Sequence, residues 1–411
     1  MPTQTIELAD INRVKFNGAY QTEVVLDGTT IWEYPTATSH TLSKTIENPS
    51  SDQNDNFGWA VASDGVLAVI GAKFDDTAAA DAGRAYVYNT TTGSIVCTLN
   101  NPEGGTGGDS YDQFGSSVAI DGNIAVVGSP SEGVTHTGGG RAYAFNATTG
   151  ALLATFINPA SSNNDYFGTA VAVSGTVACV GSPQEDADGS TCGRVYVFST
   201  TNGSLTTTCA YPDASAGTNA YMGSQVETDG TVVVTSAFGY TNSNGAWNGR
   251  VYVFNASTGS LIRSIDDPTN PSGTNNRFGH GMSMSGDVVA VGGKSQTYVQ
   301  LFYVSTGNLI TTLNTPESSH NQFGQNNTIC IDGNITVVGS PYSSYVVNGS
   351  NVYRDGKIFT YDSWTGSLLD TLIHPDHSQW GSQDLMGKAV ALSKTKLTVG
   401  IGAQDTGASN T

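Results

Sequence analysis

The chain has 411 residues, of which 50 are glycine and 13 proline, and only 12% are charged. Its 35 acidic against 16 basic residues give a net charge of -19, which argues against nucleic acid and anionic membrane surfaces as partners, because phosphate binding needs clustered Lys and Arg. No apolar stretch approaches the roughly 18 residues of a membrane span, so membrane insertion is not expected either.

The chain opens Met1-Pro2-Thr3-Gln4-Thr5, with neither the basic nor the apolar region of a signal peptide. Residues 1–28 are expected to form a small β-meander: Val14-Lys15-Phe16, a turn at Asn17-Gly18, Thr22 to Leu26, and a turn at Asp27-Gly28 leading into Ile31-Trp32. The run Ile11-Asn12-Arg13-Val14-Lys15-Phe16-Asn17-Gly18, followed by Val24-Val25-Leu26-Asp27-Gly28-Thr29-Thr30-Ile31-Trp32, resembles N-terminal segments of tailed-bacteriophage structural proteins. That resemblance implies a segment that docks onto other virion proteins.

From residue 29 a repeat takes over. Prolines return at Pro49, Pro102, Pro159, Pro212, Pro268, Pro316 and Pro375, about 54 residues apart, which marks one supersecondary unit copied many times. A second marker keeps the same spacing: Phe57-Gly58, Phe114-Gly115, Phe167-Gly168, Met222-Gly223, Phe278-Gly279, Phe323-Gly324 and Met386-Gly387. In the second copy, strands are expected around Val118–Ile120, at Ile124–Val127, at Arg141–Phe145 and at Leu152–Phe156. Asp121-Gly122 supplies the tight turn of the first hairpin, and Asn146-Ala147-Thr148-Thr149-Gly150 that of the second. The first two strands are apolar, as inner strands should be, while the third alternates as if nearer an edge. Four antiparallel strands repeated seven times describe an all-β, seven-bladed β-propeller. The last copy, 386–405, lacks its outer strands; Thr30–Tyr34 and Leu42–Pro49 match them, so a seventh blade shared between 29–49 and 386–405 is expected to close the ring.

Phe114-Gly115 followed by Val126-Val127-Gly128-Ser129-Pro130 resembles the FG-GAP repeat, best known from the propeller of integrin α subunits. The pattern recurs at Phe167 with Gly181-Ser182-Pro183 and at Phe323 with Gly339-Ser340-Pro341, and is degraded at Met222, Phe278 and Met386. Calcium-binding members carry an Asp-rich loop between the first two strands; here that connection is mostly a two-residue turn, so no metal site is carried over. The nearest acidic triplet, Asp186-Ala187-Asp188-Gly189, lies in the following loop. The five cysteines do not recur at one repeat position, which argues against a disulfide framework, although Cys179 and Cys192 share a repeat.

Connections two-to-three and four-to-one are long, variable and share one face, the default recognition surface. The longest, Ala237–Gly249 and Pro341–Gly356, hold Phe238, Tyr240, Trp247, Tyr342, Tyr345 and Tyr353; Trp380, Tyr111 and Tyr221 lie on the same side. Phe238, Tyr240, Trp247, Tyr342, Tyr345, Tyr353 and Trp380 are the candidate ligand-binding residues, able to stack on sugar rings or anchor a protein partner, or else to pack loop against loop. Arg84, Arg141, Arg194, Arg250 and Lys357 open the third strand in five copies, and this recurrence points to structure. Asp55, Asp112, Asp165, Asn276, Asn321 and Asp384, two residues before the Phe-Gly or Met-Gly pair, read as turn caps. A catalytic site has weak support: His374-Pro375-Asp376-His377 is the only close histidine pair, and a glycosidase would have to draw its carboxylates from Asp75, Asp76, Glu132, Glu185 and Asp186. No catalytic residue, metal or cofactor is therefore assigned. The sequence reads as a non-enzymatic phage virion protein, a tail fibre or spike component, assembled in the host cytoplasm, released by lysis, and touching a host glycan or receptor through the long-loop face. A purely structural capsid or tail role is the alternative, and a glycan-cleaving enzyme a lesser one.

Overall fold

The computed structural model describes residues 15–16, 19–20, 23–26, 29–33 and 44–401, except 51–53, 104–110, 134–137, 161, 214–218, 242–245, 270–274, 295, 318–321, 348–349, 353–355, 374–384 and 394–395. Every regular element among these residues is a β-strand. The chain divides into two compact units, 1–41 and 42–411. In the first, Lys15–Phe16 pairs with Ala19–Tyr20, and Glu23–Leu26 pairs with Thr29–Glu33, with Val24 opposite Trp32.

The second unit is a β-propeller. Its first blade is the antiparallel sheet Phe57–Ser63, Leu67–Ala72, Arg84–Asn89 and Ile95–Asn100, in sequence order. The second is Ser117–Asp121, Ile124–Ser129, Arg141–Asn146 and Leu152–Ile157, the four strands anticipated from its turns. Equivalent sheets begin at Val171, Val226, Gly281 and Ile329. The sixth carries an extra hairpin, Tyr345–Val347 with Ser350–Val352, between its second and third strands.

Among the described residues the four-stranded blades number six, not seven. At the seventh position stands a two-stranded hairpin, Met386–Ser393 with Lys396–Ile401, packed against the sixth blade on one side and the first on the other. The described part of Thr30–Tyr34, expected as a third strand there, belongs to the strand Thr29–Glu33, which pairs with Glu23–Leu26, because the Asp27-Gly28 turn makes that local pairing available at little loop-closure cost. The run expected as the fourth strand is not a strand in its described part, 44–49. Ile46 nonetheless packs against Ile70, Tyr86 and Tyr88, and the Tyr88 hydroxyl donates to the carbonyl of Glu47 at 3.3 Å.

The core lies between blades rather than within one. One cluster joins Val69, Val87 and Leu99 of the first blade to Phe114, Val127, Tyr143 and Phe145 of the second. Another joins Val126, Ala144 and Phe156 to Phe167, Val180, Tyr196 and Phe198 of the third. With both faces covered, the middle of each third strand is buried throughout; its alternation of small and large residues fits two neighbours rather than a core and a solvent side. The Phe-Gly phenylalanine meets its own blade edge-on, as in Phe114–Phe145 at 6.0 Å and 89° and Phe167–Phe198 at 5.9 Å and 85°. Such pairs add about 0.5–1.5 kcal/mol to burial. The glycines serve the same interface. A Cβ on Gly128 would stand 2.1 Å from the carbonyl oxygen of Gly168, and one on Gly339 would stand 2.0 Å from that of Gly387. The hairpin at 386 therefore docks by the same close backbone approach that joins full blades.

Candidate functional site

The long-loop face is built on a repeated polar frame. Each of the first three blades places a cation at the start of the third strand, a tyrosine two residues on, and a carboxylate in the preceding loop. Tyr86, Tyr143 and Tyr196 donate to Asp75, Glu132 and Glu185, each at 2.6 Å. Arg84, Arg141 and Arg194 lie 3.8, 3.5 and 3.3 Å from the same acids. In the fourth blade Asp213 comes from the other loop, taking Tyr252 at 2.5 Å and Arg250 at 3.0 Å, and in the sixth Lys357 reaches Glu317 at 2.8 Å. Burial raises Glu185 to about 6, against the Tyr196 hydrogen bond and the Arg194 charge that pull it down. Burial also drives the three tyrosines well above their ordinary range, helped by the adjoining carboxylates. The third-strand cations thus have the structural role their recurrence implied.

This arrangement also places the carboxylates considered for sugar cleavage. Asp75, Glu132 and Glu185 are one position in three blades, not a pair across one cleft. Asp76 and Asp186 each accept a backbone N–H five residues on, from Asp81 and Thr191, at 2.6 Å. Asp188 is held by Arg194 through two contacts of 2.7 Å. Among the described residues no three His, Cys, Asp or Glu side chains gather as a metal site. His374 and His377 fall outside the described residues. Cys179 and Cys192 are not joined in a disulfide, and neither are the other three cysteines.

A second recurring device fastens the four-to-one loop. Asn48, Asn101 and Asn158, each before a proline, donate to Asp55, Asp112 and Asp165 at 3.2, 3.0 and 2.8 Å. In the fifth blade the partners are exchanged, with Asn276 donating to Asp267 at 2.8 Å. In the fourth the pair is replaced by buried Tyr211 and Ala220.

On this frame the aromatic candidates separate. Phe238 stacks on Tyr221 with ring centroids 5.2 Å apart and planes at 9°, and its other neighbour is the His280 ring at 5.1 Å. The Arg277 guanidinium lies 5.8 Å from the Phe238 ring and 4.8 Å from that of Trp247. Phe238, Trp247, Tyr221, Arg277 and His280 therefore form one cluster across the junction of the fourth and fifth blades. Tyr240 sits apart, beneath Arg250 at 4.0 Å. Burial, with Lys294 and Arg277 nearby, lowers His280 to about 4, so its ring is neutral at pH 7. Tyr342 is half-buried in the sixth blade's long loop, and Tyr345 opens the extra hairpin. Tyr353 and Trp380 lie outside the described residues.

Arg277 and His280 were not among the candidates. Their signal is positional: they flank the Phe278-Gly279 pair. The residue before that pair has a left-handed backbone in every copy, from Asn56 (φ 53°) through Tyr221 (φ 57°) and Arg277 (φ 49°) to Leu385 (φ 53°). A non-glycine side chain held there reflects a conformation enforced by its surroundings.

Residues 49–88, 106–145 and 154–198 match the family model described as FG-GAP repeat. These three segments carry FG-GAP repeats. The matched segments cover the blades in which the Phe-Gly and Asn–Asp devices are intact, and the aromatic cluster lies in the blades beyond them. No curated protein matches this chain. Among solved structures, it is similar to the computationally designed Ika8 protein, at 16% identity and a TM-score of 0.48, over 85% of this chain and 94% of that one.

Proposed function

We propose that this FG-GAP propeller is a non-enzymatic recognition protein that binds a surface glycan through the long-loop face, at the Phe238–Trp247–Arg277 cluster. The observation that carries the reading is the grouping of flat apolar faces with a guanidinium in irregular loops, on a frame whose acids are already occupied. Aromatic faces take up sugar rings by stacking, and a guanidinium fixes ring hydroxyls or acidic groups by directed hydrogen bonds. We assign the role to a tailed-phage virion, at a fibre or spike, with residues 1–28 as the attachment segment. The division of the chain near residue 41 supports a head distinct from the propeller.

The test is titration of the full chain with host surface polysaccharide, read by calorimetry. Trp247→Ala and Phe238→Ala are expected to weaken binding at least tenfold while melting stays within a few degrees of wild type. Unchanged affinity in both variants would remove the site. Release of new reducing ends during the titration would instead favour the enzymatic alternative.

A further inference from the structure

Trp59, Lys73 and Lys388 meet where the first blade adjoins the hairpin at the seventh position. The Lys73 ammonium lies 3.1 Å from the centroid of a Trp59 ring, and the Lys388 ammonium 4.6 Å from it. Phe74 adds a second ring, 4.6 Å from the Lys73 ammonium. All three residues depart from the repeat. The Lys73 position is proline in Gly128-Ser129-Pro130, Gly181-Ser182-Pro183 and Gly339-Ser340-Pro341. The position of Trp59 and Lys388, directly after the Phe-Gly or Met-Gly pair, is a small hydroxyl residue at Ser116, Thr169 and Ser224. There the hydroxyl only closes the turn, donating to the carbonyl of Gln113, Tyr166 or Tyr221 at 2.7 to 2.8 Å.

The cations that open the third strands each have a carboxylate within 4 Å, from Arg84 with Asp75 to Lys357 with Glu317. Lys73 and Lys388 have no carboxylate partner among the described residues. Both are half-buried, and each is a like charge to the other. One aromatic face offsets part of the desolvation of one ammonium; it does not cancel the repulsion between two. Burial together with the Lys388 charge brings Lys73 down to about 8, and burial lowers Lys388 as well. Among the described residues no carboxylate faces the two ammonium groups, which lie at the start of a two-to-three loop and at the end of a four-to-one loop, on the long-loop face.

We propose that Lys73 and Lys388, gathered on Trp59, form an oxyanion-binding site that takes the carboxylate of an acidic saccharide or a phosphate group. An anion between the two ammonium groups replaces their repulsion with two charge-assisted hydrogen bonds. Because the molecule as a whole is strongly acidic, the attraction is local, within the screening length of about 8 Å at physiological salt. This site stands on its own residues and does not require the Phe238 cluster to bind sugar.

The experiment is calorimetry on the full chain with two probes, inorganic phosphate and a galacturonate trisaccharide, for wild type, Lys73→Gln and Lys388→Gln. Wild type is expected to bind at least one probe with a millimolar or better Kd, and each substitution to weaken it at least fivefold. Tighter binding of the trisaccharide assigns the site to acidic saccharides; tighter binding of phosphate assigns it to phosphate groups. Both variants are expected to melt at or above wild type, since each removes a partly desolvated cation that repels its neighbour and has no carboxylate partner among the described residues. Failure of wild type to bind either probe, or equal binding by wild type and both variants, overturns the proposal. Variants that melt well below wild type, with no anion bound by wild type, would make the lysines structural props on Trp59.

Discussion

At the scale of single residues, the Asn–Asp pair shows how one requirement is met by exchangeable chemistry. Asn158 donates to Asp165 at 2.8 Å and accepts from the N–H of Ala160 at 2.9 Å. In the fifth blade Asp267 stands where Asn158 does, accepts from the N–H of Thr269 at 2.9 Å, and receives the side chain of Asn276. The loop needs one carboxylate and one amide, in either order. Asn158→Asp alone sets two buried carboxylates against each other and should cost about 2 kcal/mol at pH 7. Adding Asp165→Asn recreates the fifth blade's arrangement and should recover more than half of that loss. Urea unfolding of the two single variants and the double variant measures the coupling. Additive losses would mean that the two side chains act independently. The acid two residues before Phe-Gly was legible in the sequence as a structural group, because it recurs. Arg277 and His280 were not, because a repeat hides the side chains that differ at its fixed positions.

At the scale of elements, the paired glycines decide how closely blades approach. A Cβ on Gly181 would stand 1.9 Å from the carbonyl oxygen of Gly223, with backbone on both sides and no flexible side chain to move. Gly181→Ala should therefore cost at least about 3 kcal/mol, the range of a forced overpacking. Gly122→Ala, where nothing lies within 4 Å, should cost only about 1 kcal/mol for its left-handed backbone (φ 54°). Thermal unfolding of the two variants side by side checks the difference; similar losses would refute the close-approach account. The four strands of each blade could be read from turns and apolar runs, since hairpins are local. The count of blades could not. The prolines mark where an apolar residue such as Ile46 or Leu99 packs against the next sheet, and that packing persists at Pro49 without a strand. Proline spacing thus counts packing turns, whereas a blade requires a third strand with a free edge.

At the scale of the whole molecule, the first strands and the first strand of the hairpin neighbour one another in a closed circuit. Glu227 lies on this inner wall, in the first strand of the fourth blade. Burial raises the thiols of Cys179, in the third blade, and Cys330, in the sixth, and the Glu227 charge adds to both. No hydrogen bond or ion pair among the described residues holds its carboxylate, and burial raises it from 4.5 to about 8. The unfolded chain releases this proton near pH 4.5, whereas the folded ring keeps it to about pH 8. Between those values the folded state binds more protons, so the contribution of Glu227 to stability is fully present at the acidic end and is lost as the pH rises. With allowance for water reaching the side chain, the loss is on the order of 2 kcal/mol by pH 8. Glu227→Gln keeps the shape and removes the titration. Its stability relative to wild type should be nearly equal at pH 4.5 and greater by about that amount at pH 8. Melting curves of both proteins across this range decide the matter: a difference that does not change with pH would mean that the inner wall already solvates the carboxylate.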